Sequence, residues 1–545
     1  MSVVPVAAVL VVAAAVTVRI LYLGSQSYWN DEVFSVNQAQ QDLSGVFAVG
    51  ATEVHTPLYA VLLHVWISWG SSTVTTWTHA LSAVFGLLAI GVSWTALRRT
   101  GVTQRARWVA VAVTAASGFG VVYTQETRPY ALALLGATGL TGATAGIVAA
   151  LLDRRQPRWH WWLLWALLAA TAHLLGAVLV GITAAVVAAT ALAVRRPWQA
   201  LAAAAAVVPA LTPQLAWLVL HGRNQPGFAD GTRWIGAPGP QDVAHLVTSV
   251  FASGDLTTTT GGYVWASWSG TVVASALLLA ALLLRFLPVA PATRRAEQAE
   301  HVAQPPRPTD GEPDADPEAT AAPPPLFAGA GRDGVLGLVL LLVAALTVAV
   351  TYVIAQDVHI WTLRNMIVVV PALTWSVAWM VCALPRPGWA KDAAALAVLA
   401  SVAVALVPVA ADLDRPYKTD LRSAILYLAR MRGEHPGATF SFFGPGPVNS
   451  LVAADRDPAD PALARIFATV DHHPRPDWAI NRLHRLPGPQ AVLFYTGPTG
   501  ERDGEVAGRI LAQLRDPSCA RVAVHGIVLV ACGDDSDLRG GRAAS

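Results

Sequence analysis

Long apolar runs separated by short polar loops fill most of the first 410 positions. About twenty apolar residues in a helix cross a bilayer core of roughly 30 Å. Eleven runs meet that need, at about 3–23, 75–97, 107–124, 128–152, 159–176, 177–194, 198–220, 263–285, 334–355, 366–384 and 390–410. Backbone groups in lipid must pair within their own segment, so each run predicts a helix. The fifth and sixth run together, with a break expected near Gly176. The first lacks a basic start and a clear cleavage site, so it reads as a retained helix rather than a signal peptide.

Arginine and lysine in the short loops set the orientation. Arg98, Arg99, Arg105 and Arg107 follow the second run, Arg154, Arg155 and Arg158 the fourth, and Arg195 and Arg196 the sixth. Arg285, Arg294 and Arg295 follow the eighth, Arg386 and Lys391 the tenth. All fall on one side if the N-terminus is cytoplasmic, and eleven crossings then place the C-terminus outside. A further run, PLYAVLLHVWISWG at 57–70, would break this alternation if it crossed. It is short and carries His64, Trp66 and Trp69, which suits a helix lying in the outer interface. A short true crossing is the alternative.

Composition agrees. Charged residues make up 13% of the 545 positions, against roughly 25% in soluble domains. Apolar residues reach 54%, and the net charge of +2 gives no support to a nucleic-acid partner. The expected fold is an all-α polytopic membrane domain of about eleven transmembrane helices, with a small extracytoplasmic α/β domain at the C-terminus. The domain reading is 1–287 for the membrane core, with outer loops at 24–74 and 221–262, then 288–333, 334–414 for the remaining helices, and 415–545 for the tail. The 288–333 segment is rich in proline and acid and cannot build a core, so it reads as a disordered cytoplasmic linker.

In the tail, TDLRSAILYLARMRG and GEVAGRILAQLRD predict helices, and ATFSFF and AVLFYTG predict strands. The end, CARVAVHGIVLVAC, predicts a hairpin about a His525-Gly526 turn. Cys519 and Cys532 are equidistant from that turn, so they face each other across the hairpin at a separation a disulfide can bridge. A structural disulfide between them fits an oxidising exterior. Cys382 lies inside an apolar run. Asp471, His472 and His473 sit among Pro and Arg residues and read as an exposed loop rather than a metal site.

The chemistry-bearing residues gather at the outer ends of the runs. Asp31 and Glu32 follow the first, in SQSYWNDEVFSVNQA, and Glu53 and His55 come later in that loop. Carboxylates at a lipid interface cost desolvation energy and mark a candidate general base or metal ligand. Glu126 and Arg128 lie in VVYTQETRPYAL, His173 in TAHLLG, and Arg364 begins the tenth run in HIWTLRNMIVVVPAL. Arg128 and Arg364 break the pattern of inside arginines, and an arginine there can hold a phosphate by paired hydrogen bonds. Acids, histidines and arginines from four separated segments thus suit a substrate with an apolar tail and an anionic head.

The stretches YWNDEVFSV, HTPLYAVLLHVW, THALSAVFGLLAI, YTQETRPYALALLGA, AHLLG and LRNMIVVVPAL, in that order, resemble the bacterial GT-C glycosyltransferases of the family 39 type. These are the relatives of protein-O-mannosyltransferases and lipid A aminoarabinose transferases. The resemblance implies a polyprenyl-phosphate sugar as donor and an envelope glycan, glycolipid or protein as acceptor, with transfer on the outer face of the plasma membrane. It implies Asp31 as general base with Glu32 in support, and Arg128 and Arg364 on the donor phosphate. His55, Glu126, Tyr130 and His173 would line the substrate site. Two positions depart from the family pattern: Thr56 replaces the first proline of a His-Pro-Pro-Leu motif, and Leu174 stands where an aromatic usually follows the histidine. Some relatives use a divalent metal, but no ligand set in this sequence demands one, and no nucleotide-binding loop is evident. Heavy use of Ala, Val, Arg and Gly with little Lys suggests a high-GC genome, such as an actinobacterium's, which makes mannose the first expectation for the sugar. The rival readings are a transporter or flippase of lipid-linked sugars and a non-enzymatic envelope assembly protein.

Overall fold

The computed structural model describes residues 3–221, 235–251, 331–413 and four strands beyond 438, excepting 27, 52, 54, 73, 385 and 386, with scattered helical positions between 272 and 279. Eight of the described helices are long and apolar enough to cross a membrane. The chain is a multi-pass membrane protein. In order come α1 (Val4–Leu21), α2 (Asn30–Ala39), α3 (Leu43–Gly50), α4 (Leu58–Ser68), α5 (Thr75–Arg99), α6 (Gln104–Ala116), α7 (Gly118–Tyr123) and α8 (Tyr130–Leu152). They are followed by α9 (Trp159–Ala172), α10 (Leu174–Ala193), α11 (Pro197–His221), α12 (Pro240–Phe251), α13 (Arg332–Ile354), α14 (Val370–Cys382, entered through a 3-10 turn at Arg364–Val369) and α15 (Gly388–Leu413). Most of the eighth run, the bulk of the linker and both tail helices lie outside the described residues.

The hub is α8, buried on almost every side and packed against α5, α9, α10, α13 and the 3-10 turn. Its Gly- and Ala-rich sequence lets neighbouring backbones come close, which is how helices associate in lipid. On the rim, α1 and α11 turn Val6, Leu10, Val208 and Leu220 outward, each more than half exposed. In water such a surface would aggregate; in a bilayer it is solvated.

One predicted helix is broken and one predicted break is displaced, and both breaks are anchored by remote side chains. The run 107–124 is two helices, because Ser117 leaves the helical conformation and caps α7 by accepting from the Gly120 N–H at 3.4 Å. The break frees carbonyls at the end of α6. Arg19 of α1, fully buried, reaches across to satisfy one: Nη1 donates to the Ala115 carbonyl at 2.7 Å and to Ala15 at 3.1 Å, and Nε to the Thr124 hydroxyl at 3.0 Å. An arginine at this depth is costly unless fully bonded, and here it is a structural strut.

The second break falls at His173 rather than near Gly176. His173 is extended, and its Nδ1 accepts from the Leu175 N–H at 3.2 Å, in the manner of an N-cap. Gly176 matters for a different reason: a Cβ there would collide with the Ala169 carbonyl, so glycine lets α10 turn tightly against α9. The run at 57–70 forms the short helix α4, of 11 residues.

In the tail, four strands form one sheet in the order β1 (Thr439–Phe443), β2 (Gln490–Tyr495), β4 (Ile527–Cys532), β3 (Cys519–Val524). β1 and β2 are parallel, and the other pairs are antiparallel. The strands predicted at ATFSFF and AVLFYTG are present as β1 and β2, and the hairpin has the predicted register, with Cys519 opposite Cys532.

Candidate active site

The site is built from the chain breaks at one end of the bundle. α2 begins there with Asp31 and Glu32 in its first turn, where the helix N-terminus favours negative charge. Glu32 is fully buried. Its Oε2 accepts from the N-cap Trp29 N–H at 3.2 Å, while Oε1 accepts from the Thr127 N–H at 2.8 Å and lies 2.8 Å from His79 Nε2. His79 Nδ1 is 2.8 Å from the Leu23 carbonyl. A carbonyl can only accept, so Nδ1 carries a proton, and a second proton lies between Nε2 and Glu32. One carboxylate thereby ties α2, α5 and the α7–α8 loop together, and this pins the neighbouring Asp31.

Asp31, on the same turn, faces two arginines instead. Its Oδ2 is 3.3 Å from Arg364 Nη2 and 4.0 Å from Arg128 Nη2. Arg128 Nη1 also donates to the Asp31 carbonyl and to Ser35 Oγ, both at 3.1 Å, and Ser35 Oγ donates to the same carbonyl at 3.2 Å. Each guanidinium lies over an aromatic face, Arg364 over Trp29 at 4.4 Å and Arg128 over Tyr130 at 5.9 Å. The three charged side chains remain 15 to 25% exposed, so a ligand can reach them. Glu126 is buried in the same loop, where the Arg128 N–H donates to its carbonyl at 2.7 Å.

A second set adjoins the first. The rings of His55 and His173 stack at 4.4 Å, and Tyr130 lies 6.1 Å from His173. The loop carrying His55 serves the α9–α10 break at both ends: Thr56 Oγ1 donates to the Thr171 carbonyl at 2.6 Å, and His55 Nδ1 accepts from the Leu174 N–H at 3.2 Å. A proline at position 56 could not satisfy that Thr171 carbonyl. Because Nδ1 accepts, neutral His55 carries its proton on Nε2. Burial, with His173 and Arg128 nearby, lowers the His55 pKa well below the ordinary range and holds the ring neutral.

Beside these residues is a small pocket of about 40 Å³, lined in part by Ser35, Glu53, His55, Tyr59 and Arg128. That is room for a few water molecules or one hydroxyl group. Burial raises the Glu53 pKa; Arg128 opposes the shift and Asp31 adds to it.

Every site residue expected in the membrane domain is therefore at one end of the bundle. Sequence reasoning missed His79, Trp29 and Ser35, which hold the charged residues in place. The signal for His79 was an ionisable residue inside an apolar run. Among the described residues no three His, Cys, Asp or Glu side chains come together as metal ligands.

No family model and no curated protein matches the sequence. Solved structures do match in fold. The chain is similar to ArnT from Cupriavidus metallidurans in the apo state, with a TM-score of 0.50 and 14% identity over 98% of this chain and 99% of that one. ArnT bound to undecaprenyl phosphate gives 0.49, with the same identity and coverage. The fold is a polytopic, ArnT-like membrane fold.

Proposed function

We propose that the chain is a membrane glycosyltransferase that moves a sugar from a polyprenyl-phosphate donor to a cell-envelope acceptor, on the outer face of the membrane. The observation that carries this reading is one carboxylate, Asp31, held between the guanidiniums of Arg364 and Arg128 at one end of the bundle. The two arginines bind the lipid phosphate and stabilise its charge as the sugar leaves. Asp31 removes the proton of an acceptor hydroxyl, which attacks the anomeric carbon in a single displacement and inverts it. Polyprenyl phosphate leaves with the bonding pair. Glu32 and His79 position the base, while His55, Glu126, Tyr130 and His173 shape the pocket for sugar and acceptor. Mannose is the first sugar to test, with an envelope lipoglycan, glycolipid or protein as acceptor. Arginine counting supports a cytoplasmic N-terminus and an external tail.

The test is transfer by the purified protein in lipid, from radiolabelled polyprenyl-phosphate mannose to an envelope extract, followed by a panel of other lipid-linked sugars. Transfer by the native chain and its loss in Asp31→Asn, with donor still bound, is the expected result. Equal transfer by both proteins would remove Asp31 from the mechanism. Donor movement across vesicles without transfer would favour a transporter.

A further inference from the structure

The far ends of α5, α8 and α9 enclose a groove of about 290 Å³, close to the lower limit for ligand pockets. Its floor is the glycine-rich face of α8. At Gly139 a Cβ would strike the Trp165 ring, so that ring packs close against the α8 backbone and walls one side. At Gly146 a Cβ would meet nothing within 4 Å, so the groove is open above it. By helical rise, Gly146 stands about 24 Å further along α8 than Tyr130, which separates the groove from the site above.

The mouth carries Arg99, Arg155 and Arg158. The nearby acid is already shared: Asp153 accepts from Arg155 Nη2 at 2.6 Å and from Arg332 Nη1 at 3.0 Å. Among the described residues, Arg99 and Arg158 form no ion pair with a carboxylate. Arg99 lies over the Trp161 ring at 4.7 Å, which holds its guanidinium at the rim. The mouth therefore has excess positive charge above an apolar trough.

We propose that the groove binds one anionic glycerophospholipid of the adjoining leaflet. Arg99 and Arg158 hold its phosphate, and one acyl chain lies over Gly146. Basic pockets between membrane helices select anionic head groups in this way. A zwitterionic lipid would bring its ammonium group among the arginines and bind less well. This reading needs only the membrane fold and is independent of the reaction.

The experiment is native mass spectrometry of the full-length protein in detergent, titrated with palmitoyl-oleoyl phosphatidylglycerol or phosphatidylcholine. One phosphatidylglycerol should be held about tenfold more tightly than phosphatidylcholine. The double variant Arg99→Gln/Arg158→Gln should lose that preference. Gly146→Leu places its side chain in the open groove, so it should fold normally, as checked by melting, and lose the tightly held lipid. Equal binding of the two lipids by the native chain would overturn the proposal, as would native-like phosphatidylglycerol binding in both variants. Undecaprenyl phosphate displacing phosphatidylglycerol from the native chain at lower concentration would overturn the assignment to a glycerophospholipid.

Discussion

Replacing His79 by Leu cuts two contacts at once, the 2.8 Å bond to the Leu23 carbonyl and the 2.8 Å bond to Glu32. Glu32 keeps the Trp29 and Thr127 N–H groups but loses the partner that shares its proton, at a position with no exposure. Removing one member of a buried charged pair costs about 3–5 kcal/mol. Glu32→Gln alone keeps the shape but gives up charge-assisted bonds, at about 1.5–3 kcal/mol. In the double variant no orphaned carboxylate remains, because a neutral amide faces the two backbone donors. Its total cost should therefore be close to that of His79→Leu alone, which leaves a coupling energy of about 2 kcal/mol. Reversible denaturation of all four proteins in mixed micelles measures that cycle. Effects that add to within about 0.5 kcal/mol would refute the reasoning, because independent sites behave that way.

Three further outcomes are expected. Arg19→Leu should destabilise the fold by about 1–3 kcal/mol by orphaning the Ala115 carbonyl at the α6 break, and Arg19→Lys should recover only part of that, as melting in detergent will show. Alkylation of the unfolded, unreduced protein should label Cys382 alone, with reduction exposing Cys519 and Cys532; labelling of all three before reduction would exclude their disulfide. The Glu53 pKa is raised by burial, so its neutral form is favoured in the folded protein and stability falls as pH rises from the unfolded value through the folded one. Glu53→Gln should therefore raise the melting temperature at neutral pH, and the gain should fade as pH drops below the ordinary carboxylate range.

The sequence was most informative where the physics is local. Apolar run length predicted α1, α5, α8, α11, α13, α14 and α15, because a helix in lipid satisfies its own backbone. The hairpin register followed from its turn, since strand pairing outward from a fixed turn leaves no choice. The breaks at Ser117 and His173 were misread or misplaced because their support is remote. Neither AASGFG nor TAHLLG contains the Arg19 guanidinium or the Thr56 hydroxyl that takes up the freed carbonyls. Hydropathy also concealed Arg19 and His79, each the one basic side chain in its apolar run. The site residues were legible as a set because loop order and arginine counting place them at one face. Which of them touch was not legible, since the Asp31–Arg364 contact joins residues more than 300 positions apart.

That contact also bears on the order of events. In the proposed reaction the donor phosphate binds the guanidiniums that Asp31 occupies here, so the two anions compete for one cationic site. An arriving phosphate draws Arg364 and Arg128 toward itself and releases Oδ2 of Asp31, which can then accept a proton from the acceptor hydroxyl. The base is thus unmasked by the donor, and transfer should follow an order in which donor binds first. The same competition predicts that Asp31→Asn, inactive in transfer, binds polyprenyl phosphate more tightly than the native chain. A hydrogen bond to a charged group is worth about 1.5–3 kcal/mol, and each 1.4 kcal/mol is a factor of about ten. The gain should lie between about tenfold and a hundredfold, measured by displacement of a labelled polyprenyl phosphate from the protein in micelles. Equal or weaker binding by the variant would mean that Asp31 and the phosphate do not share the arginines, and the donor-first order would then lose its physical basis.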